Sequence, residues 1–183
     1  EGQAGWLLEK LRAVDSDDQH PFRKGDAAKL LPLGLSHSPE MQDDILAEQL
    51  AGEDSAWQAG AATMLTIRVA QLAHDGQLES ARAVMSRDMP RLLELIGGLE
   101  GRLDFEGVQI AESITGFGEA NLPMTIEVIR DVASRAMMEL SPAEEAIKTG
   151  AVTALARILP ARFPNFADDL VPYLSEEGEL DFI

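Results

Sequence analysis

The chain predicts an all-α protein built from antiparallel helix pairs, and three observations carry that prediction. Ala, Leu, Glu, Gln and Met dominate the sequence, apolar residues recur at three- and four-residue steps, and the period-two alternation of a half-buried strand is missing. With 183 residues and 45% apolar composition there is enough apolar surface to offset the entropy of ordering, so one folded helical unit is expected over 1–183.

Taken in order, the predicted helices are about Ala4–Val14, Lys24–Leu33, Pro39–Ala51, Ser55–Ala73, Leu78–Ser86, Pro90–Leu99, Phe105–Gly116, Pro123–Glu139, Pro142–Ile158 and Phe166–Leu174. The first two rest on apolar recurrence alone. Ser38-Pro39 opens the third, because Ser can cap while Pro fills a position that needs no N–H, and Met41, Ile45, Leu46 and Leu50 give it one apolar stripe. The fourth contains the most apolar window, Ala59–Ile67, and ends near His74 and Gly76, where an imidazole and a left-handed residue suit a C-terminus. Asp88 is placed as the cap of the sixth helix, Asp104 of the seventh, Asn121 of the eighth and Asn165 of the last. Ser141-Pro142-Ala143-Glu144 is a capping box, in which hydroxyl and carboxylate satisfy reciprocal backbone donors. Gly101 and Gly118 suit helix ends, and short connectors make neighbouring helices antiparallel.

Acidity is blocked along the chain. Leu30–Ile67, Leu103–Ile129 and Phe163–Ile183 contain no Lys or Arg and hold six, five and six carboxylates, which equal the whole net charge of −17. A negative surface opposes binding to phosphate backbones or anionic lipid, so neither nucleic acid nor membrane is an expected partner; a basic protein is. Ala59–Ile67 is ended by Arg68 at about half the length a membrane span requires. Zero Cys removes disulfides and thiolate chemistry. Glu1-Gly-Gln-Ala-Gly-Trp6 has neither an initiator Met nor the basic and apolar regions of a signal peptide, so the chain reads as a piece excised from a larger protein. Expected locations are the cytoplasm, or a host cell reached as part of a secreted effector. The segment 175–183 reads as an acidic tail.

No motif for catalysis, cofactor or metal emerges. His20, His37 and His74 lack metal-ligand spacing, and Gly97-Gly98 and Gly116-Phe117-Gly118 lack the strand and lysine of a phosphate loop. Asp15-Ser16-Asp17-Asp18 begins like a calcium loop but puts His20 where the turn needs Gly. Paired carboxylates such as Asp43-Asp44 and Asp168-Asp169 read as solvated charge.

Apolar stripes repeat weakly. Ile110, Ala111, Ile114 and Phe117 match Ala151, Val152, Leu155 and Ile158 at an offset of 41, and Gly60, Ala61, Met64 and Ile67 match the first set at an offset of 50. Each is narrow and partly small-residue, which lets helices approach closely. Pro90–Leu99 followed by Phe105–Gly116, and Pro123–Glu139 followed by Ala146–Ile158, resemble the A and B helices of HEAT and armadillo repeats over about Ser38–Leu174. The resemblance implies a short HEAT-like α-solenoid that binds proteins along an inner surface lined by B helices; the alternative architecture is an irregular helical bundle. The unequal offsets and the missing Asp-then-Arg arrangement between helices depart from the family pattern.

The functional expectation is a non-catalytic protein–protein interaction module, part of a larger bacterial effector or scaffold, with an acidic surface made by Glu40, Asp43, Asp44, Glu48, Glu106 and Glu112. Two alternatives are an acidic inhibitor or immunity-type protein that blocks a basic site, and an all-helical enzyme with a carboxylate-based site. Halophilic adaptation would also enrich acids, although it tends to spread them evenly.

Overall fold

The computed structural model describes residues 39–99, 104–136 and 141–174, together with residues 6, 9 and 10, which are helical. The predicted helices Ala4–Val14 and Lys24–Leu33 otherwise lie outside the described residues, as do Gly101 and the acidic tail 175–183. Among the described residues the chain is all-helical. From residue 39 onward the described helices are α1 Pro39–Ala51, α2 Ser55–His74, α3 Leu78–Gly97, α4 Phe105–Arg135, α5 Pro142–Thr153 and α6 Phe166–Leu170. The axis of α5 continues through a π turn, Ala154–Ile158, into Leu159–Arg162, and α6 runs into the single 3₁₀ turn Val171–Tyr173.

Local chemistry sets the starts. The Asp54 carboxylate accepts from the N–H groups of Ala56 and Trp57 at 3.0 and 3.2 Å, and Asp104 accepts from Gly107 N–H at 2.9 Å. The Ser141 capping box forms: Glu144 N–H donates to Ser141 Oγ, and Ser141 N–H donates to the Glu144 carboxylate at 2.5 Å. Asn165 makes no side-chain cap bond. Within α4, Asn121 has φ −165° and ψ 98°, so the helix is two segments meeting at a kink. Asn121 Oδ1 caps the second segment by accepting from Met124 N–H at 3.1 Å, with Pro123 in the first turn. Gly76 ends α2 at φ +76°, a conformation that a Cβ would penalise.

Two expected helices are in fact one. Asp88 and Pro90 do not start a new helix; α3 runs unbroken from Leu78 to Gly97 with Pro90 inside it. Met85, Met89, Leu92, Leu93 and Ile96 form one buried stripe across the proline. Burying such side chains contributes about 1.5–3 kcal/mol each, so together they outweigh the roughly 3 kcal/mol cost of an interior proline. Gly118, expected at a helix end, is instead buried within α4 against Phe163.

The core lies among α2, α3, α4 and α5, around Leu65, Leu92, Ile114, Phe117 and Ile126. Glycines set two helix crossings. A Cβ on Gly116 would run into the Thr66 side chain, so α2 and α4 meet at that point, where Thr66 Oγ1 also donates to Ser113 O at 3.3 Å. A Cβ on Gly97 would lie 2.8 Å from the Ala146 carbonyl carbon, and one on Gly150 would lie 2.5 Å from that of Leu93; α3 and α5 therefore touch backbone to backbone. The π turn answers a local demand: Pro160 has no N–H to give, and its ring crowds the carbonyl one turn earlier, so Leu159 N–H reaches five residues back to Ala154 O.

Candidate functional site

The fold places the six sequence-predicted acids in two separate groups. Asp43, Asp44 and Glu48 lie on α1, which packs mainly on α2 and α3, whereas Glu106 and Glu112 lie on α4, which packs mainly on α2 and α3 from other positions in the chain. The side chain of Glu40 is outside the described residues. Asp43 turns inward to Arg68 Nε at 3.0 Å and is 14% exposed, while Asp44 is 84% exposed with Arg87 Nη1 3.9 Å away. Glu48 is exposed and has a partner of its own. Glu106 is half-buried in the first turn of α4, and Glu112 is exposed farther along it.

Arginines on α2 and α3 fasten α1. Arg87 Nη2 donates to Asp43 O at 2.8 Å, and Arg91 donates to the carbonyls of Leu50 and Gly52, at the end of α1, where a cation meets the negative pole of the helix. Arg87 also grips the neighbouring Asp88, 5% exposed, through two bonds of 2.9 and 2.8 Å. Burial pushes the Asp88 carboxyl up from its usual 3.8 despite the guanidinium beside it, and the bonds to Asp88 in turn raise Arg87.

The same tertiary pairing runs through the base-free blocks. Arg82 from α3 reaches Glu127 on α4, and Arg162 reaches Glu119 at 3.6 Å. Tyr173 donates to the Glu127 carboxylate at 3.2 Å while Arg130 lies 5.4 Å from its ring centroid, seating the 3₁₀ turn on α4. Carboxylates of the first two acidic blocks thus receive cations from elsewhere in the fold.

Sequence reasoning missed a concave feature among the described residues. A groove of about 1040 Å³ lies between the first segment of α4 and the length of α5. Ile96 from α3 and Leu99 just after it, Val108 and Ala111 from α4, Val152 from α5, and Ile158 and Ala161 from the continuation of its axis supply apolar lining. Glu112 and Glu119 stand on the α4 wall; Lys148, Arg157 and Arg162 stand on the α5 wall with Glu145. The C-terminal ends of the walls converge where Arg162 meets Glu119, and Phe163 packs on Gly118 beside them. Phe105, one turn before Val108 and outside the groove lining, is 65% exposed. From Gly107 to Glu119 the α4 wall is thirteen residues long, about 18 Å of helix from first to last.

The offset of 41 residues was the available signal. Ala111 and Val152, matched positions in that comparison, line opposite walls of this groove, while their stripe neighbours Ile114 and Leu155 are buried in the core. Each stripe therefore faces the core along one edge and the groove along the other.

No helix among the described residues is long and apolar enough to cross a membrane, and no group of three or more metal-ligating side chains among them is placed to hold an ion. Comparison of the chain with protein-family models, with curated proteins and with solved structures found no match.

Proposed function

We propose that the chain is a non-catalytic protein-interaction module that takes an amphipathic helix of another protein into the groove between α4 and α5. The observation that carries this reading is the groove itself: an apolar floor long enough for about three helical turns, with charge along both walls. An amphipathic helix offers the matching pattern, an apolar stripe flanked by polar edges. Helices pack on the second one along as well as on the next, α1 on α3, α2 on α4 and α3 on α5, an order that supports the short HEAT-like solenoid and its use as a binding scaffold. The net charge of −17 favours a partner that is basic overall and speeds its approach, while the groove supplies the contact.

The test is selection of a displayed library of helical peptides on the purified chain, followed by amide chemical-shift mapping of the enriched sequences. The expected peptides carry apolar residues at i, i+3, i+4 and i+7, perturb Val108, Ala111, Val152 and Ile158, and bind at least about tenfold more weakly to Ala111→Trp or Val152→Trp, which fill the groove without touching α1. Peptides that map to Asp43, Asp44 and Glu48 and ignore both tryptophan variants would show that the groove is not the interface.

A further inference from the structure

The groove is charge-balanced in a chain with 32 acids and 15 bases, and its cations are of an unusual kind. Among the described residues from 39 onward, Arg68, Arg82, Arg87, Arg91, Arg135 and Arg162 each pair with a carboxylate, and Arg130 lies over Tyr173. Two described cations in that range, Lys148 and Arg157, have no carboxylate within ion-pair distance and no hydrogen bond. Both line the groove, and both stand on its α5 wall. Nine residues apart across the π turn, which absorbs one residue, they are separated by about 12 Å along the helix axis. Facing them, Glu112 on the α4 wall is exposed and likewise unpaired among the described residues.

Resting on the groove reading above, we infer that the partner helix is edge-split: its apolar stripe is flanked by carboxylates on the edge that meets α5 and by cations on the edge that meets α4. Lys148 and Arg157 would take carboxylates about 12 Å apart, and Glu112 would take a Lys or Arg. Bulk charge alone predicts a helix basic on both edges; local pairing overrides it on the α5 side because charges within contact distance in a partly desolvated groove interact more strongly than screened distant ones. The arrangement also sets polarity. With the apolar stripe held against the floor, exchanging the acidic and basic edges of a helix is equivalent to turning it end for end, so the charge pattern fixes which way the partner chain runs.

Three stapled sixteen-residue helical peptides with one identical apolar stripe test this by fluorescence anisotropy at about 0.15 M salt: one with a Glu edge and a Lys edge, one with Lys on both, one with Glu on both. The split peptide is expected to bind about tenfold tighter than either of the others. The double variant Lys148→Glu/Arg157→Glu, with Arg157 exposed and Lys148 half-buried and its folding checked by circular dichroism, should transfer the preference to the all-Lys peptide. A nitroxide at the split peptide's N-terminus should broaden amides at one end of the groove, either Val108 or Glu119, and at the opposite end when the two edges are exchanged. Tightest binding of the all-Lys peptide to the wild-type chain, equal binding of all three, or broadening at both ends overturns the edge rule while leaving the groove as a helix site. Failure of all three to bind, together with an empty library selection, overturns the groove reading and the inference with it.

Discussion

Adjacent glycines at the end of α3 make opposite predictions, and the pair tests how α5 is held. At Gly97 and Gly150 an added Cβ meets backbone of the facing helix, 2.8 Å from Ala146 C and 2.5 Å from Leu93 C, where ordinary contact begins near 3.4 Å. Backbone cannot rotate aside as a side chain would, so α5 must retreat by roughly 0.5–1 Å, enough to lose a quarter to a half of the dispersion energy along the seam. Overpacking of this kind costs about 1–3 kcal/mol, and the upper end applies because the obstacle is main chain. Ala is favoured over Gly within a helix by about 1 kcal/mol, which leaves Gly150→Ala roughly 2 kcal/mol less stable. For a chain of this length that is a fall in Tm of about 4–8 °C. At Gly98 the nearest atoms are Leu95 O at 3.5 Å and Glu94 O at 3.6 Å, and the backbone is right-handed, so Gly98→Ala should be neutral or stabilise by up to about 1 kcal/mol. Urea denaturation monitored by circular dichroism measures all three. A Gly150→Ala protein more stable than the parent would refute the backbone-to-backbone seating of α5 and with it the geometry of the groove wall.

Acid titration should separate two carboxylates by sign. Burial raises Asp88, so the folded state binds that proton more readily than the unfolded chain, and its contribution to stability grows as pH falls from the folded value towards 3.8; wild type should gain on Asp88→Asn over that range. Glu144 is lowered by the Ser141 N–H, so its contribution is present above 4.5 and is lost as pH falls below it; wild type should lose on Glu144→Gln. Removing the clamp on the end of α1 with Arg91→Ala should cost about 1–2 kcal/mol and accelerate amide hydrogen exchange in α1 ahead of α4 and α5. Phe105→Ala should change stability by less than about 0.5 kcal/mol in the same urea denaturation, because the ring is largely exposed.

The helical elements were legible wherever short-range chemistry decides them. The boundaries of α1, the caps at Asp104, Asn121 and Ser141, and the left-handed Gly76 follow from a few neighbouring residues, and the structure reproduces them. Pro90 was misleading because the same local logic counts its missing N–H but not the burial of Met89, Leu92 and Leu93 beyond it. The acidic blocks were misleading in the same way: Asp43 meets Arg68 across 25 residues and Glu127 meets Arg82 across 45.

By itself, then, the sequence determined helix type, most helix ends, the stripes that face inward and the total charge, since these depend on composition and on contacts within a turn or two. Tertiary structure alone decided which acids stay solvated, which cations stand unpaired and where the surface is concave. Those properties depend on how closely helices far apart in sequence approach, and here that approach is set by Gly97, Gly116 and Gly150 meeting partners on other helices. With α4 seated on α2 and α5 seated on α3, the first segment of α4 and α5 line opposite walls of a groove, and Lys148 and Arg157 come to line it.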